Sequence, residues 1–390
     1  MSTKLSQDSQ AILLLTAPLM AGRTESSPDL LTPVEYWRLE VFLREVQKQP
    51  GDLMAADAES VIGQCRAIID GDRLKRLLGR GVLLSQAVER WQARAIWVIT
   101  NADPTYPLRL KGRLKDNAPA VLYGCGDATI LETGGLAVVG GRNATPALLT
   151  YAGHIGEFAA HAEQTVVSGG ARGIGQASIH GALEAGGKAV SIVADNLERA
   201  ALDREVRLPL MEGRLVLVSP SDPMAGCNVG NAIQCNRLIY ALADAALVIS
   251  SDYQKGGTWA GATEQLTNLR LVPVFVRSRG DIGKGLQELQ DMGALPWPNP
   301  TSAAELVHVL MPEREPGTVA YDEEVVPKTK PVPAKRRSQP KKSAGNIAEP
   351  TLFDSASGAT TSEGHTAMAH EGCETKIDVE TRDCFCKRDP

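Results

Sequence analysis

The sequence predicts an α/β protein: a doubly wound, mostly parallel Rossmann-like sheet with a small N-terminal helical domain and a disordered C-terminal tail. Three observations carry this. Between residues 136 and 276, six short apolar, β-branched runs alternate with stretches of helical length, as strands buried on both faces and joined by right-handed crossovers do. Residues 1–94 show only helical periodicity. Beyond residue 312, proline, serine, alanine and charge replace any apolar period.

Composition limits the function before any motif does. With 390 residues, 43% hydrophobic and 22% charged, the chain has ordinary globular composition and room for more than one domain. A formal charge of −5 supplies no global attraction to nucleic acid, so such binding has to come from a local patch. Seven cysteines without a CxxC pair make no disulfide framework and fit a reducing cytoplasm. The apolar stretch 11–15 is too short and polar-flanked for a secretory signal, and no run reaches the roughly 18–20 apolar residues of a membrane helix. A soluble cytoplasmic protein is expected.

From the N-terminus, Thr32, Pro33 and Glu35 supply a cap, a first-turn proline and a capping-box acid, which predicts a helix running toward Gln49. Pro50 and Gly51 stop it. Helices follow at about 55–69, 74–78 and 85–91, separated by glycine turns. Such helices read as a packing or partner-binding module, with helix-hairpin-helix contact to DNA backbone as the alternative. Residues 96–99 and 120–123 read as short strands joining this module to the sheet. The sheet then alternates strand and helix: 136–139 with 146–162, 165–168 with 173–185, 189–194 with a longer connection, 215–218 with 234–243, 246–250 with 259–269, and 272–276 with 285–292.

Domains are accordingly drawn at 1–94, 95–312 and 313–390. In the last, an acidic stretch precedes a proline-spaced basic run of Lys328, Lys330, Lys335, Arg336, Arg337, Lys341 and Lys342, followed by a lone apolar pair, Leu352 and Phe353. Cys373, Cys384 and Cys386 with His365 and His370 match no closed zinc pattern, so no metal is expected.

Ligands of such sheets bind at the carboxyl ends of the strands, where helix N-termini present unpaired N–H groups. Gly140, Gly141 and Arg142 follow one strand, and Ser168, Gly169, Gly170, Arg172 and Gly173 follow the next. Asn236 and Arg237 are expected to open a helix, and Lys255, Gly256 and Gly257 to form a turn after a further strand. Arginine forks onto phosphate, and successive glycines free backbone amides to face an anion. The alternative is that Arg142 and Arg172 pair with local carboxylates. No G-x-G-x-x-G with dinucleotide spacing and no G-x-x-x-x-G-K-[ST] occurs, so no cofactor and no catalytic residue are assigned.

The stretch VSGGARGIG at 167–175, with HGALEAGGKAV at 180–190, resembles the V-S-G-x-A-R-G-I-D and G-A-L-E-A-G-G signatures of the DprA/Smf DNA-processing family. Tyr106-Pro107, Leu122-Tyr123, Gly126-Asp127, the G-S-R-like Gly140-Gly141-Arg142, Asn236-Arg237-Leu238-Ile239 and the turn at Gly256 extend the resemblance over about 95–295. It implies an extended Rossmann-like domain that dimerises, binds single-stranded DNA on its carboxyl edge and, in transformable bacteria, loads the RecA recombinase. No catalysis is implied. In that reading Arg142 and Arg172 contact phosphate, the glycines supply amides, and Asn236 and Arg237 shape the pocket floor.

The chain departs from the family pattern in four places. The family has G-N-F-P with basic residues just before N-R-I, whereas here Gly230-Asn231 is followed by Ala232-Ile233-Gln234-Cys235, so an aromatic platform and positive charge are missing there. Gly175 replaces an aspartate, residues 257–264 are unlike S-G-S-L-I-T-A, and the winged helix that many members carry is absent. Two further readings follow. The related LOG-type phosphoribohydrolases use P-G-G-x-G-T-x-x-E, and residues 257–264 keep the spacing to Glu264 but lose the central G-T. DprA-like proteins also occur as regulators or antitoxin partners in phage-defence modules, where the partner is the effector of a neighbouring gene.

Overall fold

The computed structural model describes residues 5–19 and 29–310. Helix α1 (Gln7–Thr16) starts at Ser6, whose hydroxyl accepts from the Ser9 amide, and Ala11 to Leu15 are at most 1% exposed. A helix apolar on all sides has to be surrounded. Helices α2 (Pro33–Glu45), α4 (Gly71–Leu78) and α5 (Gly81–Gln92) pack around it, and α3 (Ala58–Cys65) packs on α4. The stretch read as too short for a signal is therefore the centre of the helical part. The capping box forms as expected: the Thr32 amide donates to Glu35 at 2.8 Å and the Glu35 amide to the Thr32 hydroxyl at 3.3 Å.

Strand β1 (Trp97–Thr100), helix α6 (Leu108–Leu114) and strand β2 (Val121–Gly126) come next. The alternating part runs β3 (Leu136–Val139), α7 (Pro146–His161), β4 (Val166–Gly169), α8 (Ile174–Glu184) and β5 (Ala189–Ile192). It continues through α9 (Leu197–Ala201), α10 (Arg204–Met211), β6 (Leu215–Ser219), α11 (Val229–Leu242), β7 (Ala245–Val248) and α12 (Gly256–Glu264). Strand β8 (Val274–Val276), α13 (Gly283–Asp291), β9 (Leu295–Pro296) and α14 (Ala303–Leu310) complete the described chain.

The strands form one nine-stranded sheet in the order β1-β2-β6-β5-β4-β3-β7-β8-β9. From β6 to β9 all neighbours are parallel, which is the expected doubly wound core. β1 and β2, expected only as a link, extend the sheet as antiparallel strands beyond β6. The chain steps from β3 through β4 and β5 to β6, then returns to β7 on the other side of β3. Helices α7 to α10 cover one face together with the N-terminal helices and α14, and α6 and α11 to α13 cover the other. Adjacent strands β3 and β7 thus send their helices to opposite faces, which opens a crevice at their carboxyl ends.

Three boundaries differ from expectation in ways that move the site. Helix α11 starts at Val229 because the Asn228 side chain accepts from the Asn231 amide, so Asn236 and Arg237 lie in mid-helix rather than opening one. Helix α12 starts at Gly256, three residues early, and its last turn passes into a π turn at Gln265–Leu269. The long connection after β5 contains α9 and α10. The expectations for residues 313–390, including the basic run and the cysteine and histidine cluster, lie outside the described residues.

Candidate nucleic-acid interface

Each parallel strand delivers the chain to a helix N-terminus at the carboxyl edge, so the question is which of these ends remain open to a ligand. Three are closed: Thr145 accepts from the Leu148 amide at the start of α7, Asn196 accepts from the Arg199 amide at α9, and Asn228 closes α11. Helices α8 and α12 have Gly173 and Lys255 at their N-caps, and among the described residues neither has a side-chain cap, although the Ile174 amide donates to the Gly141 carbonyl at 3.4 Å. Their first amides have no partner within the helix, and the positive dipole end favours an anion. The four expected turns therefore reduce to two open helix ends with a third loop between them.

That third loop follows β3. The Gly141 amide donates to the Ser250 hydroxyl at 3.0 Å, and the Ile249 amide to the Val139 carbonyl at 2.9 Å, which fastens it to the loop after β7. On its other side it meets the start of α8: a Cβ on Gly173 would come within 2.7 Å of the Arg142 Cα, and one on Gly140 within 2.6 Å of Ile174. Gly173 also has φ +106°, a conformation that glycine adopts without strain. Arg172, Arg142 and Lys255, all exposed, consequently stand over three adjacent strands, β4, β3 and β7. Neighbouring strands are about 4.8 Å apart, so the three cations form a short row along the edge. No ion pair among the described residues involves Arg172, which also lines an open groove of about 670 Å³ between α7 and α8.

Several expected ligand groups are spent inside the fold. The Ser168 hydroxyl is buried and donates to the Val138 carbonyl, so it ties β4 to β3 instead of facing a phosphate. The Gly141 amide is taken by Ser250, and the Gly170 amide donates to the Ile192 carbonyl at 2.9 Å. Gly169 ends β4. Asn236 donates to the Gly257 carbonyl at 3.0 Å, and Arg237 donates through Nε to Glu264 at 2.9 Å. These two side chains hold α11 against α12 and so fix where the Gly256 and Gly257 amides point. Sequence reasoning passed over Tyr253, Trp259 and Lys284, which flank Lys255 on this edge.

The model of the DNA recombination-mediator protein A family matches residues 97–307, more than half of the chain. The chain belongs to the DNA recombination-mediator protein A family. The match starts at β1 and ends in α14, so the antiparallel extension lies within the matched region. The crystal structure of DNA processing protein A from Streptococcus pneumoniae superposes with a TM-score of 0.58 and 17% identity, over 78% of this chain and 98% of that one. A structure of DNA processing protein A from Helicobacter pylori, described for its single-stranded DNA binding mode, aligns at 21% identity over 55% of this chain and 95% of its own, with a TM-score of 0.44. No curated protein matches the sequence.

The departures from the mediator-family pattern have structural reasons. Cys235, in the segment where family members carry basic residues, is 4% exposed with its thiol against the Val193 carbonyl, and burial pushes its pKa up to about 12. A charged side chain there would be buried without a partner. Ala232 is likewise buried, whereas Ile233 is exposed. A Cβ on Gly175 would approach the Gly169 carbonyl to 2.6 Å, so the family's aspartate needs a different β4 turn. Glu264, the carboxylate of the phosphoribohydrolase reading, is engaged by Arg237 and oriented along the α11–α12 seam. Among the described residues no helix is long and apolar enough to cross a membrane.

Proposed function

We propose that the chain is a single-stranded-DNA-binding DNA-processing protein that acts as a recombination mediator, with the strand laid across the carboxyl ends of β4, β3 and β7. The observation that supports this reading is the row of Arg172, Arg142 and Lys255 beside two helix N-termini that no described side chain caps. Guanidinium forks and an ammonium meet phosphate oxygens, and the open amides of α8 and α12 donate to a neighbouring one. With a net charge of −5, binding rests on this local row rather than on the whole surface. Asn236, Arg237 and Glu264 position α12 without touching the ligand. In this role a cytoplasmic homodimer passes the bound strand to RecA, and none of these steps calls for a catalytic residue.

Fluorescence anisotropy with a labelled single strand, challenged by unlabelled single strand or duplex, tests the reading. Single-stranded competitor is expected to displace the probe at lower concentration than duplex. Lys255→Ala is expected to weaken binding severalfold. Equal competition by duplex, or no binding at all, contradicts the proposal.

A further inference from the structure

Tyr253 and Trp259 face each other at the carboxyl edge, one in the loop after β7 and the other in the first turn of α12, with ring centroids 5.2 Å apart and planes at 77°. Both rings are half-buried, and Trp259 packs its inner side on the core beneath α11 to α13. The loop that carries Tyr253 is held firmly. Gln254 donates to the Tyr253 hydroxyl at 3.0 Å, and a side chain on Gly285, in α13, would overlap the Ser251 carbonyl. Gln254 itself has φ +56°, a left-handed conformation that strains a residue with a Cβ. Strain of that kind persists where the surroundings impose it, and it concentrates at ligand sites.

Cations surround the rings. The Lys284 ammonium sits 4.1 Å from the Tyr253 ring centroid, and Lys255 is exposed immediately before the open N-terminus of α12. Fixed aromatic faces interleaved with cations are the chemistry that holds unstacked bases and their phosphates. A duplex cannot use such a site, because its bases are already stacked. We propose that Tyr253 and Trp259 form a stacking platform for one base of a single-stranded nucleic acid, whose phosphate lies at Lys255 and the α12 amides while Lys284 moves from the ring to a neighbouring phosphate. This rests on the reading of the same edge as a strand-binding site and adds how that site distinguishes a base from bare backbone.

The test compares two labelled strands of equal length and charge, an oligothymidine and its abasic counterpart, against wild type, Tyr253→Leu, Tyr253→Phe and Lys255→Ala. Wild type is expected to prefer the thymidine strand about tenfold, the order of one base–aromatic contact. Tyr253→Leu loses most of that preference while keeping its affinity for the abasic strand, and Tyr253→Phe, which retains the ring, keeps the preference. Lys255→Ala weakens both strands alike. If Tyr253→Leu keeps the wild-type preference, or wild type binds both strands equally, the platform is wrong while the phosphate site stands. If wild type binds neither strand, both ideas fall.

Discussion

Glu35 shows how much a single carboxylate holds in this fold. It closes the capping box of α2 and accepts Nη1 of Arg73, from α4, at 2.7 Å; these contacts, the Arg73 hydrogen bond first, pull its pKa from 4.5 to about 2. A depressed carboxylate pKa contributes stability above the unfolded value and loses it as pH falls through the folded one. The stability gap between wild type and Glu35→Gln in urea is therefore expected to be full above about pH 5 and to close toward pH 2. A gap that is constant across this range would show that the charge is not what Arg73 reads. Thr32→Ala is expected to cost about 1 kcal/mol at neutral pH through loss of the cap. The capping box was legible because its residues are sequence neighbours. The Arg73 contact and the Arg237–Glu264 pair were not, because each joins residues on separate helices that only the tertiary fold brings together.

At the scale of elements, α7 and α8 touch backbone to backbone. A side chain on Gly156 would overlap the Ser178 carbonyl, and one on Gly181 would overlap the Gly153 carbonyl. Gly156→Ala and Gly181→Ala are each expected to destabilise by about 1–3 kcal/mol or more in urea titrations, since the helices have to separate to admit a methyl group. Losses below a few tenths of a kcal/mol would mean that the helices are not in close contact. The central strands could be read from sequence because they are buried on both faces and appear as continuous apolar runs. The start of α11 could not. Asn228 caps it from a polar, glycine-containing stretch that carries no apolar period, which placed Asn236 and Arg237 at a helix end instead of within it. The aromatic pair was missed for a related reason: Tyr253 and Trp259 belong to a loop and a helix and share no sequence periodicity.

Across the whole molecule, the N-terminal helices and the sheet share one buried cluster, and charge crosses between them as well. Glu198 of α9, 7% exposed, lies 3.4 Å from Nε of Arg90, in α5, and 2.9 Å from Nε of Arg94, in the turn that follows it. Glu198→Gln removes the carboxylate and leaves half-buried Arg90 with only the Asp222 charge nearby, so a loss of about 1–3 kcal/mol in denaturant titration is expected. An unchanged midpoint would show that the pair is replaceable. The doubly wound class and the glycine loops were readable from the alternation and spacing of apolar runs, whereas the switch between β3 and β7 was not, because chain order does not give spatial strand order. The antiparallel β1 and β2 were not, because two short strands in a linking segment do not reveal which edge they join.

The central claim is that Arg172 stands over a phosphate of a bound single strand. Its most direct test is the affinity of wild type and Arg172→Ala for a labelled single strand across a salt series. Loss of one phosphate contact is expected to weaken binding and to make the slope of log K against log salt shallower by about 0.7. An Arg172→Ala protein with wild-type affinity and wild-type slope would contradict it.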